Sequence, residues 1–171
     1  MRANLPIKYL LVNFEAMINS ERVVIKPVEF GSDDYRETVI LRDKILRKPL
    51  NMRFTEEQLF REVSDYHLAA FDNERMVGCL ILTPAEEGWI KMRQVAVDKE
   101  LQRSGIGRRL VMFSEAFALN RGFSKMYCHA RDNAVPFYLQ LEYEIVGEPF
   151  TEIGITHFRM VKELDGSVLF S

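Results

Sequence analysis

Apolar positions along the chain fall into short alternating or continuous runs set apart by turns, with helical spacings between them. The β-branched run RVVIKPV, Arg22 to Val28, predicts a strand closed by Pro27 and Gly31. Ser32 and Asp33 then offer an N-cap for a helix to about Leu46, in which Tyr35, Val39, Leu41, Ile45 and Leu46 are apolar. RKPLNMRFT contains Pro49 and mostly polar residues and reads as a loop. Thr55 is placed to cap a short helix from Glu56 to about Val63, with Gln58 completing a capping box.

The stretch YHLAAFDNERMVGCLILTP predicts a hairpin turning at Asp72-Asn73-Glu74. WIKMRQVAV continues as a strand from Trp89 to Val97. A helix follows Gly107 with Leu110, Phe113, Phe117 and Ala118 on one stripe, and Gly122 stops it at C′. KMYCHA is a strand, and NAVPFYLQLEY a short helix capped by Asn133 with Pro136 in its first turn. YEIVGEPF and THFRMVKEL read as two closing strands. Early antiparallel hairpins followed by crossover helices predict a mixed sheet with helices on both faces, an α+β fold.

Composition narrows the class. A 171-residue chain that is 47% hydrophobic and 28% charged is expected to form one globular domain. That domain is expected over residues 22–171, preceded by an N-terminal extension, 1–21, of weakly apolar character; Met17 is an alternative start. The formal net charge of −2 gives no nucleic-acid footprint, and no apolar run reaches the ~18 residues of a membrane span. The two cysteines, Cys79 and Cys128, sit inside apolar runs and read as buried thiols rather than a disulfide. A cytoplasmic protein is expected.

The segment QVAVDKELQRSGIGRRLVMFSEAF, from Gln94, carries the most informative local pattern. A β-branched run ends in a turn with Gly105 and Gly107, and a long helix begins. A P-loop is excluded because its lysine and hydroxyl are missing. A dinucleotide fingerprint is excluded because only two glycines occur, after four strands. A cradle of backbone N–H groups for an anion at the helix N-terminus and a plain tight turn both remain. The hexapeptide Gln102-Arg103-Ser104-Gly105-Ile106-Gly107 resembles the [QR]-x-x-G-x-[GA] signature of the GNAT superfamily of acetyl-CoA-dependent N-acyltransferases. Further on, ARDNAVPFYLQLEY resembles that family's A-x-x-x-F-Y-x-x-x-G-[FY] segment. LRDKILRKPL, KMRQVAV and FTEIGITHFRM are similar to the ElaA-like branch. The resemblance spans roughly 22–164. Glu142 departs from it, standing where the family has glycine, and Thr156 replaces a proline common in this branch.

The resemblance implies a three-layer α/β/α arrangement on a mostly antiparallel sheet splayed at its middle. The parting strands would be those containing Val95-Ala96-Val97 and Lys125 to Ala130, with acetyl-CoA as cosubstrate between them. Its pantetheine arm would pair along Val95, Ala96 and Val97. Its pyrophosphate would meet Gln102, Arg103, Ser104, Gly105, Ile106, Gly107 and Arg108, with Asn133 and Tyr138 also lining the cofactor. Tyr138 is the implied acid for the leaving thiolate, or else a core aromatic beside Phe137. Glu152 and His157 are the implied base or acceptor-binding candidates, or structural groups. Arg42 and Arg47 fit either an acceptor carboxylate or packing and surface charge, and His129 reads as support for the turn after its strand.

The chemistry demands such groups. An amine of pKa ~10.4 is about 0.04% neutral at pH 7, a handicap of roughly 4.6 kcal/mol that a base must offset. Neither cysteine has a sequence-suggested partner base, so direct transfer to a primary amine is expected without a covalent acyl-enzyme. The partners expected are acetyl-CoA and an amine acceptor, with no metal, and a homodimer fits the family's habit. The competing reading is a non-catalytic module that binds or senses acyl-CoA.

Overall fold

Strands with apolar side chains on both faces need cover on both sides. The computed structural model, which describes residues 22–166, provides it. The expected N-terminal extension lies outside the described residues. The strands are β1 (Val23–Val28), β2 (Tyr66–Asp72), β3 (Arg75–Pro84), β4 (Trp89–Val97), β5 (Lys125–Arg131), β6 (Glu144–Ile145), β7 (Phe150–Glu152) and β8 (Ile155–Glu163). They form one sheet in the order β1-β2-β3-β4-β5-β8-β6, with β7 also on β8. Pairing is antiparallel throughout except between β4 and β5, which run parallel. The fold is α+β, as expected.

Helices α1 (Asp33–Arg42), α2 (Glu56–Phe60), α3 (Ile106–Asn120) and α4 (Val135–Gln140) complete it. One sheet face buries Leu68, Ala70, Leu80, Met92 and Met126 under Ile106, Leu110, Val111 and Ala118 of α3. The other buries Ala69, Phe71, Cys79 and Ala96 under Tyr35 and Leu41 of α1. Gly78 permits the close seating of α3, because a Cβ there would stand 2.8 Å from the Leu110 Cδ1. Helix α3 stops where Gly122 adopts φ +87 and the Phe123 N–H reaches back to the Ala118 carbonyl at 3.1 Å.

The local signals act largely as expected. Ser32 accepts the Tyr35 N–H at 3.1 Å, and Thr55 and Gln58 close the capping box. Four details differ. Helix α1 gives way at Asp43 to a five-residue π-helical segment, Asp43–Arg47, and α2 tightens into a 3₁₀ turn over Arg61–Ser64. Asn133 does not cap α4: it lies inside a 3₁₀ turn, Asp132–Ala134, and the N-cap position falls on Ala134 with no side-chain bond. YEIVGEPF is two short strands, β6 and β7, each laid on β8, because Gly147 at φ +78 turns the chain between them.

Candidate functional site

Strands β4 and β5 pair only from Trp89↔Lys125 to Met92↔Cys128. Beyond that point β5 continues on β8 as far as Arg131, while β4 continues on β3 as far as Val97. The parting has a local cause. Between Arg93↔Ile81 and Ala96↔Cys79, β4 carries an extra residue, and Gln94 sits at φ +52. A buried network holds that bulge. Arg42 Nη1 donates to Gln94 Oε1 at 2.6 Å, and the same guanidinium donates to Glu62 at 2.8 and 3.0 Å. Tyr35 adds a hydroxyl bond to Glu62 at 2.9 Å. Arg42 is fully buried and fully engaged, so of the two roles open to it the structural one is observed.

The opened edge of β4 leads into the glycine turn. Asp98 caps a 3₁₀ turn, Lys99–Leu101, and Gln102 Nε2 donates to the Val97 carbonyl at 3.2 Å. Arg103 (φ +64) and Gly105 (φ +89) are both left-handed, and the space where a Gly105 side chain would stand is open. Gly105 is the N-cap of α3, with no side-chain cap, so the first amides of the helix point out of the turn without a local acceptor. Gly107 differs: a Cβ there would meet Phe137 at 3.5 Å and Val97 at 3.6 Å, ordinary contacts. Close approach to the turn therefore rests on Gly105. Ile106 is buried, whereas Ser104 is exposed and its hydroxyl donates to the Leu101 carbonyl.

Tyr138 lies under α3 with Phe137 and Tyr143 edge-on at 5.0 and 5.6 Å. Its hydroxyl makes no hydrogen bond within the described residues. Burial, then the neighbouring Cys128 thiol, pushes its pKa far above the usual tyrosine value. Asn133 is exposed, and its backbone N–H donates to the Asp132 carboxylate at 2.8 Å.

On the opposite face a polar cluster gathers beside the point where the strands part. Glu152 lies 3.3 Å from His129 Nδ1 and 3.8 Å from His157 Nε2. His157 Nδ1 is 2.8 Å from the Ile155 carbonyl, so Nδ1 carries the proton and Nε2 faces Glu152. Lys91 Nζ stands 3.3 Å from His129 Nδ1. Burial first, then the Lys91 charge, pushes the His129 pKa down. Burial likewise lowers that of Lys91. His129 is thus a member of this cluster rather than a support for the turn after β5. Lys91 has no motif to announce it; its place follows only from the β4–β5 register. A separate cleft of about 810 Å³ opens between α3, the end of α4 and β8. It contains none of Tyr138, Glu152 and His157, and its buried Glu115 is already paired with Lys162 at 2.9 Å.

Comparison with known families gives this geometry its context. Residues 34–164 match the family model described as Acetyltransferase (GNAT) domain. The chain belongs to the GNAT acetyltransferase family. It is 26% identical to a Bacillus subtilis (strain 168) protein named as the uncharacterized N-acetyltransferase YjcF, over 78% of this chain and 95% of the relative. A crystal structure from Lactobacillus plantarum described as an N-acetyltransferase superposes with a TM-score of 0.75 at 20% identity, covering 83% of this chain and 98% of that one. A GNAT acetyltransferase from Elizabethkingia anophelis with acetyl-CoA bound superposes with a TM-score of 0.63 at 20% identity, covering 84% and 99%. Among the described residues no helix is long and apolar enough to cross a membrane.

Proposed function

We propose that this acetyltransferase moves the acetyl group of acetyl-CoA directly onto the primary amine of a small molecule or peptide. The observation that carries the reading is the opened edge of β4. It leaves backbone N–H and C=O groups of residues 93–97 without a strand partner on the β5 side, and it leads straight to the uncapped start of α3. An amide-bearing chain such as pantetheine satisfies the first set of groups. A pyrophosphate suits the second, with Gly105 admitting it and Arg103 and Arg108 adding charge.

In this reading the neutral amine attacks the thioester carbonyl, forming the C–N bond, and a backbone N–H near Val95 donates to the oxyanion. Glu152, alone or through water and with His157 beside it, takes the proton the amine loses. As the C–S bond breaks, the Tyr138 hydroxyl donates to the departing sulfur. Because burial holds Tyr138 well above a thiol of pKa ~8.5, complete proton transfer is uphill, and its contribution is that of a strong hydrogen-bond donor to the developing thiolate. Direct transfer is supported by the cysteines: burial pushes both thiols up to about 12, which removes the thiolate an acyl-enzyme needs.

The test is thiol release from acetyl-CoA across polyamines, amino acids, aminoglycosides and peptides, with the product weighed by mass spectrometry. Amine-dependent release matched one-to-one by N-acetylated product is expected. Acetyl-CoA binding without amine-dependent release across that panel would replace the enzyme with an acyl-CoA sensor.

A further inference from the structure

The described residues place the guanidinium groups of Arg131, Arg47 and Arg93 around the mouth of the β4–β5 opening, and only Arg93 of the three has a carboxylate at ion-pair distance. Arg131 ends β5, three positions past the last pairing with β4. Cys128 and Ala130 belong to the core under α3, so alternation puts Arg131 on the other face, with His129. Its Nη2 crosses to the Leu46 carbonyl at 3.2 Å, bridging β5 to the π-helical end of α1. The next residue, Arg47, lies over the Phe54 ring at 4.6 Å, and that ring also takes Arg42 at 5.2 Å. Arg93 is the residue just before the Gln94 bulge.

The local balance is lopsided. Arg42 is answered by Glu62, and Arg93 has Asp65 at 4.0 Å. Among the described residues no carboxylate comes within ion-pair distance of Arg47 or Arg131. Asp43, at the start of the π-helical segment, tempers Arg47 only from farther away. Burial first, and then the Arg131 guanidinium, lowers the Arg47 pKa, the mark of like charges held together. The wide π turn is itself a departure from helix geometry that places Arg47 there.

Resting on the acetyltransferase reading, we propose that the acceptor amine also carries a carboxylate, and that Arg47 and Arg131 hold it while the amine faces the opening between β4 and β5. Two guanidinium forks, one pinned by an aromatic ring and one by a backbone carbonyl, suit a planar carboxylate. The phosphates of acetyl-CoA are already provided for at Gly105 to Arg108 in the proposed site.

The experiment uses the full chain and matched probes: alanine, alaninamide and ethylamine; lysine, lysinamide and cadaverine; and an aminoalkylphosphonate. Transfer rates are measured for each. Calorimetry with CoA present compares N-acetylated acids with their amides. In the wild type the acids should be favoured about 10-fold or more, through KM and in the calorimetric affinity. In Arg47→Ala and Arg131→Ala the acid-to-amide ratio should fall toward one, with Arg131→Lys recovering part of it. Equal use and equal binding of acids and amides by the wild type would overturn the inference, as would a preference that survives both alanine variants. A preference for the phosphonate over the carboxylates would overturn the carboxylate assignment. Transfer without acid preference leaves the acetyltransferase reading standing and removes only this inference. An acid preference in binding without any transfer does the reverse.

Discussion

Tyr138 is where the proposed mechanism is most exposed to a single substitution. Its hydroxyl makes no hydrogen bond within the described residues, so Tyr138→Phe removes no structural bond seen there, while the ring keeps its contacts with Phe137 and Tyr143. The expected outcome is a kcat lower by roughly 10²-fold with acetyl-CoA affinity and melting temperature little changed. A stable variant with wild-type kcat takes Tyr138 out of the mechanism and leaves solvent to stabilise the departing thiolate. The position of Tyr138 was legible because Phe137-Tyr138 sits inside a local motif. The surroundings of Glu152 were not. His129 lies 23 residues away along the chain, and Lys91 is 38 from His129. These contacts exist because β4, β5, β8 and β7 lie side by side, an order that no spacing in the sequence states.

At the scale of elements, the end of α4 carries a measurable strain. The Tyr143 N–H closes back on the Tyr138 carbonyl at 3.0 Å, and this turn puts Glu142 at φ +68. A non-glycine residue there costs about 1 kcal/mol. Glu142→Gly should therefore raise the melting temperature by roughly 2–4 °C, read by thermal unfolding. An unchanged or lower value would mean that the glutamate side chain offsets the strain. The departure from the family glycine was visible in the sequence, and the structure shows the helix end keeping its left-handed form despite it. Other elements were legible in proportion to their periodicity. Trp89–Val97 alternates over Ile90 to Arg93, up to the Gln94 bulge, and emerged with its expected bounds. The π-helical Asp43–Arg47 leaves no such trace, because its apolar positions fit an ordinary helix equally well. The two-residue strand β6 is too short for any pattern to mark.

For the whole molecule, the parting of β4 from β5 joins every proposed part. It sets the unpaired edge, aims that edge at the start of α3, and leaves Tyr138 on one face and the Glu152 cluster on the other. The motifs made the family resemblance readable from sequence. The bulge at Gln94 and the buried Arg42–Glu62 pair that fixes it were not readable, since they join residues 20 and 52 positions apart. Hydrogen exchange with and without saturating acetyl-CoA tests this arrangement most directly. The amides of residues 93–97 and 105–108 should slow markedly on binding, as two separated segments protected together. Protection that spares both, and falls instead on residues 161–163 in the cleft between α3 and β8, would contradict the account.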